Sequence, residues 1–288
     1  MPENDFPEQK TSESNSLPFE KDPQIALNLQ HIEINGISGP LVIFFGPRNI
    51  GKTVTLLRLC THIAHYDIRP DETFRTDDQY QDTIKTFEEV RRNLKFAPSA
   101  TGNINFLLLN VTHMGSRFCQ ILEAPGEHFF DEENPGKDYP VYLNKIINSD
   151  YRKVYVIFFS LDMFKKDQDK FNYTSKIGRL LRERVNSKRD RVVIVCNKAD
   201  LQPFMNAGKP VEREFRDALY KQDTFRLLYD TLEKGGFGHI PFVPFSAGSF
   251  IDDGEGKFAF ALSDKQYPAR LWQEIHNSIE GKAWWKIW

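Results

Sequence analysis

The chain has 288 residues, a formal net charge of −2 at pH 7 and 27% charged residues, a length that suits one large domain with a substantial core. No basic excess argues for a nucleic-acid partner. The acidic, polar N-terminus has no apolar core segment of a secretory signal, and no apolar run reaches the roughly 18 residues of a membrane span. The composition therefore predicts a cytoplasmic protein with no transmembrane segment.

In chain order, residues 1–25 are polar and predict a disordered lead-in, and residues 26–288 predict one domain. Apolar runs predict strands at 40–45, 104–111, 118–122, 154–159, 192–196 and 240–245. Charged, periodic segments between them predict helices at 53–65, 139–149, 170–188, 211–234 and 267–280.

Strands that alternate with helices predict a doubly wound α/β fold, with a mostly parallel sheet of about six strands. The turn-like residues 112–116 separate two strand-like runs and predict a hairpin, which places one antiparallel strand at the sheet edge. Residues 66–103 are too long for a simple connection and contain a plausible helix at 83–95. They are expected to form an insertion in the domain.

The first chemical motif is Gly-x4-Gly-Lys-Thr, which directly follows a predicted strand and opens a helix. A glycine-rich loop of this kind is the P-loop, or Walker A motif, whose backbone N–H groups surround a phosphate chain at the positive end of a helix. The lysine reaches the β- and γ-phosphates, and the threonine hydroxyl binds Mg²⁺. The predicted phosphate-binding residues are Gly46, Asn49, Ile50, Gly51, Lys52, Thr53 and Val54.

A second motif selects the base. Asn197-Lys198-Ala199-Asp200 lies at the carboxyl end of a predicted strand, where open α/β sheets bind ligands. Guanine offers N1–H and a 2-amino group as two adjacent donors, and adenine lacks that pair, so one carboxylate can discriminate between them. Asp200 suits that role, Asn197 can tie its loop to the phosphate loop, and the Lys198 stem can cover the base. Ser246 and Ala247 end the next strand, where backbone N–H groups can meet the guanine O6.

Residues 38–280 resemble the translation-factor-related and Ras-like class of P-loop GTPases. The resemblance lies in the order of three motifs: Gly46 to Thr53, Asn197 to Asp200 and Ser246-Ala247. Within that class, the chain resembles the divergent bacterial members in particular. The resemblance implies a GTP- and GDP-binding protein that uses Mg²⁺. It also implies a protein partner or effector.

The resemblance is weaker in the catalytic half. The family's Asp-x-x-Gly motif corresponds to Glu123-Ala-Pro-Gly126, in which Glu123 replaces the Mg²⁺-linked Asp and Gly126 meets the γ-phosphate. Glu127 and His128 follow at the places where family members orient the attacking water, with Glu127 slightly preferred. Alternatively, the Pro-Gly segment is a solvated turn. The family's Mg²⁺-capping Thr is assigned to Thr101, although other threonines occupy the same region.

Arg48 stands where Ras-like members usually carry Gly. Its guanidinium either supplies positive charge to the γ-phosphate from within the chain or points to solvent. Together with Lys52, Glu127 and His128, Arg48 completes the predicted catalytic set.

Three functions are compatible with these residues. The first is a slow GTPase that acts as a molecular switch, and the second is a scaffold that keeps guanine nucleotide as a structural ligand. The third is an ATP-using enzyme, which no acceptor-substrate motif supports.

Overall fold

A computed structural model of the chain describes residues 35–61, 65–92, 106–131, 136–160, 167–201, 226, 230, 234, 236, 240–252 and 258–281. The strands are β1 Leu41–Phe45, β2 Tyr66–Pro70, β3 Leu107–His113, β4 Ser116–Glu123, β5 Lys153–Phe159, β6 Arg191–Cys196, β7 Phe242–Pro244, β8 Gly248–Asp252 and β9 Phe258–Leu262. The helices are α1 Lys52–Thr61, α2 Asp78–Arg92, α3 Gly126–Phe129, α4 Val141–Asn148, α5 Asp167–Glu183 and α6 Gln266–Glu280.

Seven strands form one sheet in the order β2-β3-β4-β1-β5-β6-β7. β4, β1, β5, β6 and β7 run parallel, and β3 is antiparallel to both of its neighbours. This arrangement confirms the predicted doubly wound, mostly parallel α/β fold. β8 and β9 form a separate antiparallel ribbon.

β1 and β5 are buried along their whole length, as strands covered by helices on both faces must be. Their apolar side chains form the centre of one hydrophobic core with β4, β6 and the inward faces of the helices. After β1 the chain passes first to strands on one side of β1, and then to β5, β6 and β7 on the other side. The carboxyl end of β1 therefore lies at a topological switch point, where open α/β sheets bind ligands.

The edge strand β2 was not predicted. Only Ile68 is fully buried in it, while Asp67 and Arg69 face solvent, so its apolar pattern is too short to detect. Pro70 ends the strand, as an edge position tolerates. Because β2 pairs with β3, the predicted antiparallel edge strand lies one place inside the sheet.

Most predicted helices are present with shifted ends. The helix expected at 83–95 begins at Asp78, and the one expected at 170–188 spans Asp167–Glu183. The lead-in 1–25 lies outside the described residues, as does most of the helix expected at 211–234. No helix within the described ranges has the length and apolar character to cross a membrane.

Candidate nucleotide site

The loop between β1 and α1 places the predicted phosphate-binding residues at the switch point. Gly51 has a φ of +89°, and a Cβ atom added there would lie 2.4 Å from Asn197 Nδ2, so glycine is required on both counts. Asn49 also has a left-handed φ, of 59°. The loop is closed by the first helical bond of α1, in which the Thr55 N–H donates to the Gly51 carbonyl over 2.9 Å.

Lys52 lies folded against this loop. Its Nζ donates to the carbonyls of Gly46 and Pro47, each at 3.1 Å, and the side chain is 5% exposed. Burial lowers the pKa of Lys52, and the carboxylates of Glu123 and Glu127 oppose that shift. The ammonium group therefore lies among phosphate-loop carbonyls with two acidic groups close by.

Thr53 and Glu123 form a direct pair, since Thr53 Oγ1 donates to Glu123 Oε1 over 2.9 Å. The other carboxylate oxygen, Oε2, is buried and has no hydrogen-bond partner among the described residues. Burial raises the pKa of Glu123 to about 7, although Lys52 and the Thr53 hydroxyl act in the opposite direction. An unpaired buried oxygen of this kind carries a large desolvation cost, which a bound cation would offset.

These oxygen donors fit Mg²⁺, a hard cation that proteins hold through one or two carboxylates together with substrate phosphates. Within the described ranges, no group of three or more His, Cys, Asp and Glu side chains gathers as an all-protein metal site. A Thr53–Glu123 site completed by nucleotide phosphates is consistent with both observations.

The turn after β4 rests directly on the phosphate loop. A Cβ atom added to Gly126 would lie 2.2 Å from the backbone N of Arg48 and 2.4 Å from the carbonyl carbon of Pro47. Only glycine fits that contact without backbone movement. Gly126, the residue that corresponds to the glycine of Asp-x-x-Gly, therefore lies where the phosphate loop and the turn after β4 meet.

The two predicted water-orienting residues differ in their surroundings. Glu127 is exposed, whereas His128 is half-buried and its Nδ1 is hydrogen-bonded to the Tyr142 hydroxyl. Burial lowers the pKa of His128 to about 4, assisted by Lys137 and Lys52 and opposed by Glu127. His128 is therefore neutral near pH 7, and one of its two ring nitrogens is already engaged.

Asn197 joins the base-side loop to the phosphate loop. Its Nδ2 donates to the Ile50 carbonyl over 2.7 Å, and its Oδ1 accepts from the Lys198 N–H. Lys198 has a φ of 56°. The side chain of Asn197 is 5% exposed, so this tie between the two loops is shielded from water.

Asp200 is exposed in a single 3-10 turn, Ala199–Leu201, that follows β6. Two backbone bonds hold this turn beside the next loop: Ala199 N–H donates to the Phe245 carbonyl, and Phe245 N–H donates to the Cys196 carbonyl. Asp200 and the Ser246-Ala247 pair therefore lie on neighbouring loops.

Of the remaining predicted residues, Val54 lies half-buried in the first turn of α1, and the Arg48 side chain is exposed. Thr101, the predicted Mg²⁺-capping residue, lies outside the described residues. The predicted site residues that are described lie at the carboxyl ends of β1, β4, β6 and β7, so the fold brings the three motifs to one edge of the sheet.

Comparison with known proteins was informative only at the level of structure. No protein-family model and no curated protein matches the chain. Among solved structures, Toc33 from Arabidopsis thaliana in complex with Mg²⁺ and GMPPNP matches with a TM-score of 0.45 and 13% identity, over 85% of this chain and 86% of that chain.

Two further solved structures are similar to this chain. The Ski7 GTPase-like domain of S. cerevisiae, bound to GDP and inorganic phosphate, has a TM-score of 0.41 and 14% identity over 77% of this chain and 45% of that chain. Roco2 RocCORdC of Methanosarcina barkeri, bound to GDP, has a TM-score of 0.36 and 13% identity over 86% and 52%.

Sequence reasoning missed three residues that support the site. Tyr142 contacts His128 from α4, and Arg58 and Ser263 form hydrogen bonds next to the Ser246-Ala247 loop. Tyr142 has the pattern of an ordinary core residue on an amphipathic helix. The signal at Arg58 was an arginine on the otherwise apolar run of α1, between Leu57 and Leu59.

Proposed function

We propose that the protein binds GTP and GDP together with Mg²⁺, and that it is a slow GTPase that works as a molecular switch. The observation that carries this proposal is the buried hydrogen bond from Asn197 Nδ2 to the Ile50 carbonyl. It joins a loop suited to guanine to a loop suited to phosphates, and a ligand that spans both must carry a guanine base and a phosphate chain.

Base selection is assigned to Asp200. Its exposed carboxylate can accept from both N1–H and the 2-amino group of guanine, which adenine cannot match. The Lys198 stem, whose backbone is held by the Asn197 side chain, would cover one face of the base. A carboxylate placed to accept from two donors of guanine disfavours a base that lacks them, because the carboxylate is then left unpaired in the complex.

The phosphate chain is assigned to the backbone of residues 46–51 and to Lys52. On nucleotide binding, Lys52 would exchange its two loop carbonyls for phosphate oxygens. Thr53 and Glu123 would hold Mg²⁺, which neutralises phosphate charge when bound.

Slow hydrolysis is supported by the surroundings of Glu127 and His128. Glu127 is exposed, and His128 is neutral and held by its bond to Tyr142, so the described contacts orient neither group for an attacking water. Of the two, Glu127 is the better candidate for orienting water, because a carboxylate accepts without giving up an existing partner.

In the switch model, the turn at Gly126 and the region 66–103 rearrange around the γ-phosphate and relax after hydrolysis. Gly126 already contacts the backbone of Arg48, so a γ-phosphate bound in the phosphate loop would displace the turn at Gly126. A protein partner or effector would then distinguish the two states, and residues 26–288 would act as one domain.

Titration calorimetry with Mg²⁺ and GTP, GDP or ATP tests the proposal. We expect binding of guanine nucleotides only, and Asp200→Asn should weaken it by about 10- to 100-fold, since one charged hydrogen-bonding group is lost. Asp150→Asn is a matched control, because Asp150 is an exposed acid before the amino end of β5, at the opposite edge of the sheet from the site, and it should leave affinity unchanged. ATP binding equal to or tighter than GTP binding would overturn the assignment.

The scaffold alternative is favoured by the same observation as slow hydrolysis, namely that His128 is engaged by Tyr142. A multiple-turnover assay with excess GTP separates the two functions. Release of several phosphates per protein molecule excludes a purely structural nucleotide, whereas none over hours would favour the scaffold.

A further inference from the structure

Ser263, directly after β9, is bonded to both residues of the Ser246-Ala247 loop. Its Oγ donates to the Ser246 carbonyl over 2.5 Å, and its backbone N–H donates to the Ala247 carbonyl over 3.2 Å. Ser246 is 1% exposed and its own Oγ accepts from the Gly248 N–H. Three hydrogen bonds thus hold residues 246–248.

The first of these bonds also orients a donor. The Ser246 carbonyl and the Ala247 N–H belong to one planar trans peptide, in which the two groups point in opposite directions. A carbonyl directed at Ser263 Oγ therefore turns the Ala247 N–H away from that hydroxyl. Within the described part of the chain, that N–H has no acceptor, although most N–H groups in folded proteins do.

Arg58 fixes Ser263 in turn. Its Nη2 donates to the Ser263 carbonyl over 2.7 Å, and its Nε lies 3.4 Å from Ser263 Oγ. Arg58 is 4% exposed and belongs to α1, the helix that begins at the phosphate loop. One guanidinium thereby holds the base-side loop to the phosphate-binding helix with the planar, multi-donor geometry that arginine provides.

We propose that Ser263, anchored by Arg58, is a positioning residue that directs the Ala247 N–H at the 6-oxo group of a bound guanine. This inference rests on the proposed function. It assigns the orientation of the O6 contact to two residues outside the three motifs, Arg58 and Ser263, while Asp200 reads N1–H and the 2-amino group next to O6 on the same edge of the base.

Three nucleotides separate these two contacts. GDP carries all of the recognised groups, 6-thio-GDP replaces O6 by sulfur, a weaker acceptor, and inosine diphosphate keeps O6 but lacks the 2-amino group. Calorimetric affinities give two ratios. The ratio of GDP affinity to 6-thio-GDP affinity reports the O6 contact. The ratio of GDP affinity to inosine diphosphate affinity reports the Asp200 contact.

For Ser263→Ala we expect GDP affinity to fall on the order of fivefold, because an oriented hydrogen bond is lost. The GDP over 6-thio-GDP ratio should approach one, and the GDP over inosine diphosphate ratio should stay at the wild-type value. Ser263→Thr keeps the hydroxyl and should restore the first ratio. Ser249→Ala, at an exposed position of β8, should change neither ratio.

An unchanged GDP over 6-thio-GDP ratio in Ser263→Ala would overturn the positioning role and leave the guanine site standing. Equal loss for all three nucleotides would also overturn it, because a merely structural role weakens every ligand alike. If Ser263→Ala does not fold, the same ratios measured on Ser263→Cys, whose thiol is a weaker donor, decide the question. Wild-type protein that binds no GDP would instead refute the proposed function itself.

Discussion

On the base side of the site, hydrogen bonds connect loops that follow the four strands β1, β6, β7 and β9: Asn197 to Ile50, Ala199 to Phe245 and Ser263 to Ser246. On the γ-phosphate side, Glu123 has an unpaired buried oxygen, Glu127 is exposed, and His128 is bonded to α4 instead of the phosphate loop. The residues proposed to bind nucleotide thus share a preformed framework, and the residues proposed for hydrolysis do not.

This difference separates hydrogen bonds that stabilise the fold from groups that are available to a ligand. The loop-to-loop hydrogen bonds of the base side stabilise the fold without ligand. By contrast, burial shifts the pKa values of Lys52 and Glu123 toward their neutral forms. Shifted pKa values of this kind are typical of ionisable groups at ligand-binding sites. Substitutions on the two sides should therefore separate stability from ligand binding.

The largest effect is expected at Gly126, where the two sides of the site touch. Gly126→Ala places a methyl group 2.2 Å from the Arg48 backbone N, and overpacking of this kind should lower the free energy of unfolding by about 3 kcal/mol. Chemical denaturation measures it. Gly136→Ala, where an added Cβ meets nothing within 4 Å, is the control, and equal stability of both variants would contradict the contact.

Asn197→Ala should come next, since it removes the tie between the loops and leaves the buried Ile50 carbonyl without its donor. We expect a loss of about 2 kcal/mol in the free energy of unfolding, together with weaker GDP binding. Asn144→Ala removes a similar bond, from Asn144 Nδ2 to the Tyr139 carbonyl, away from the site. It should lower stability and leave GDP affinity unchanged, and a matching loss of affinity there would break the comparison.

A pH-dependent effect is expected at His128, whose pKa is lowered from 6.5 to about 4 in the folded protein. The unfolded chain takes up a proton first, so His128 contributes stability above pH 6.5 that is lost as the pH falls toward 4. Relative to His128→Gln, the wild type should lose about 3 kcal/mol across that window.

Denaturation of both proteins at a series of pH values measures this difference. A wild-type curve parallel to that of His128→Gln would mean that burial does not hold His128 neutral.

The smallest effect is expected at Arg48, whose side chain is exposed. Arg48→Ala should change the free energy of unfolding by less than about 0.5 kcal/mol and leave GDP affinity unchanged. Single-turnover hydrolysis decides its remaining role. A rate equal to wild type removes Arg48 from the catalytic set, whereas a tenfold slower rate would show that the guanidinium reaches the γ-phosphate.

The central strands and the hairpin were predictable from the sequence. β1, β5 and β6 are continuous apolar runs, because strands covered on both faces need apolar residues at every position. The edge strand β2 escaped detection since one buried side chain leaves no period to read. The ribbon β8–β9 was not predicted either, because β8 is short and partly polar, although β9 is an apolar run.

Within the site, the sequence by itself determined the two glycine-dependent loops and the base-selecting Asn-Lys-x-Asp, because chemistry restricts which residues can occupy these positions within a few neighbours. Only the tertiary structure decided that Tyr142 engages His128 and that Arg58 and Ser263 hold the Ser246-Ala247 loop. These contacts join residues 14, 205 and 17 positions apart. A partner at such a distance is fixed by the packing of whole elements, so no local spacing reveals it.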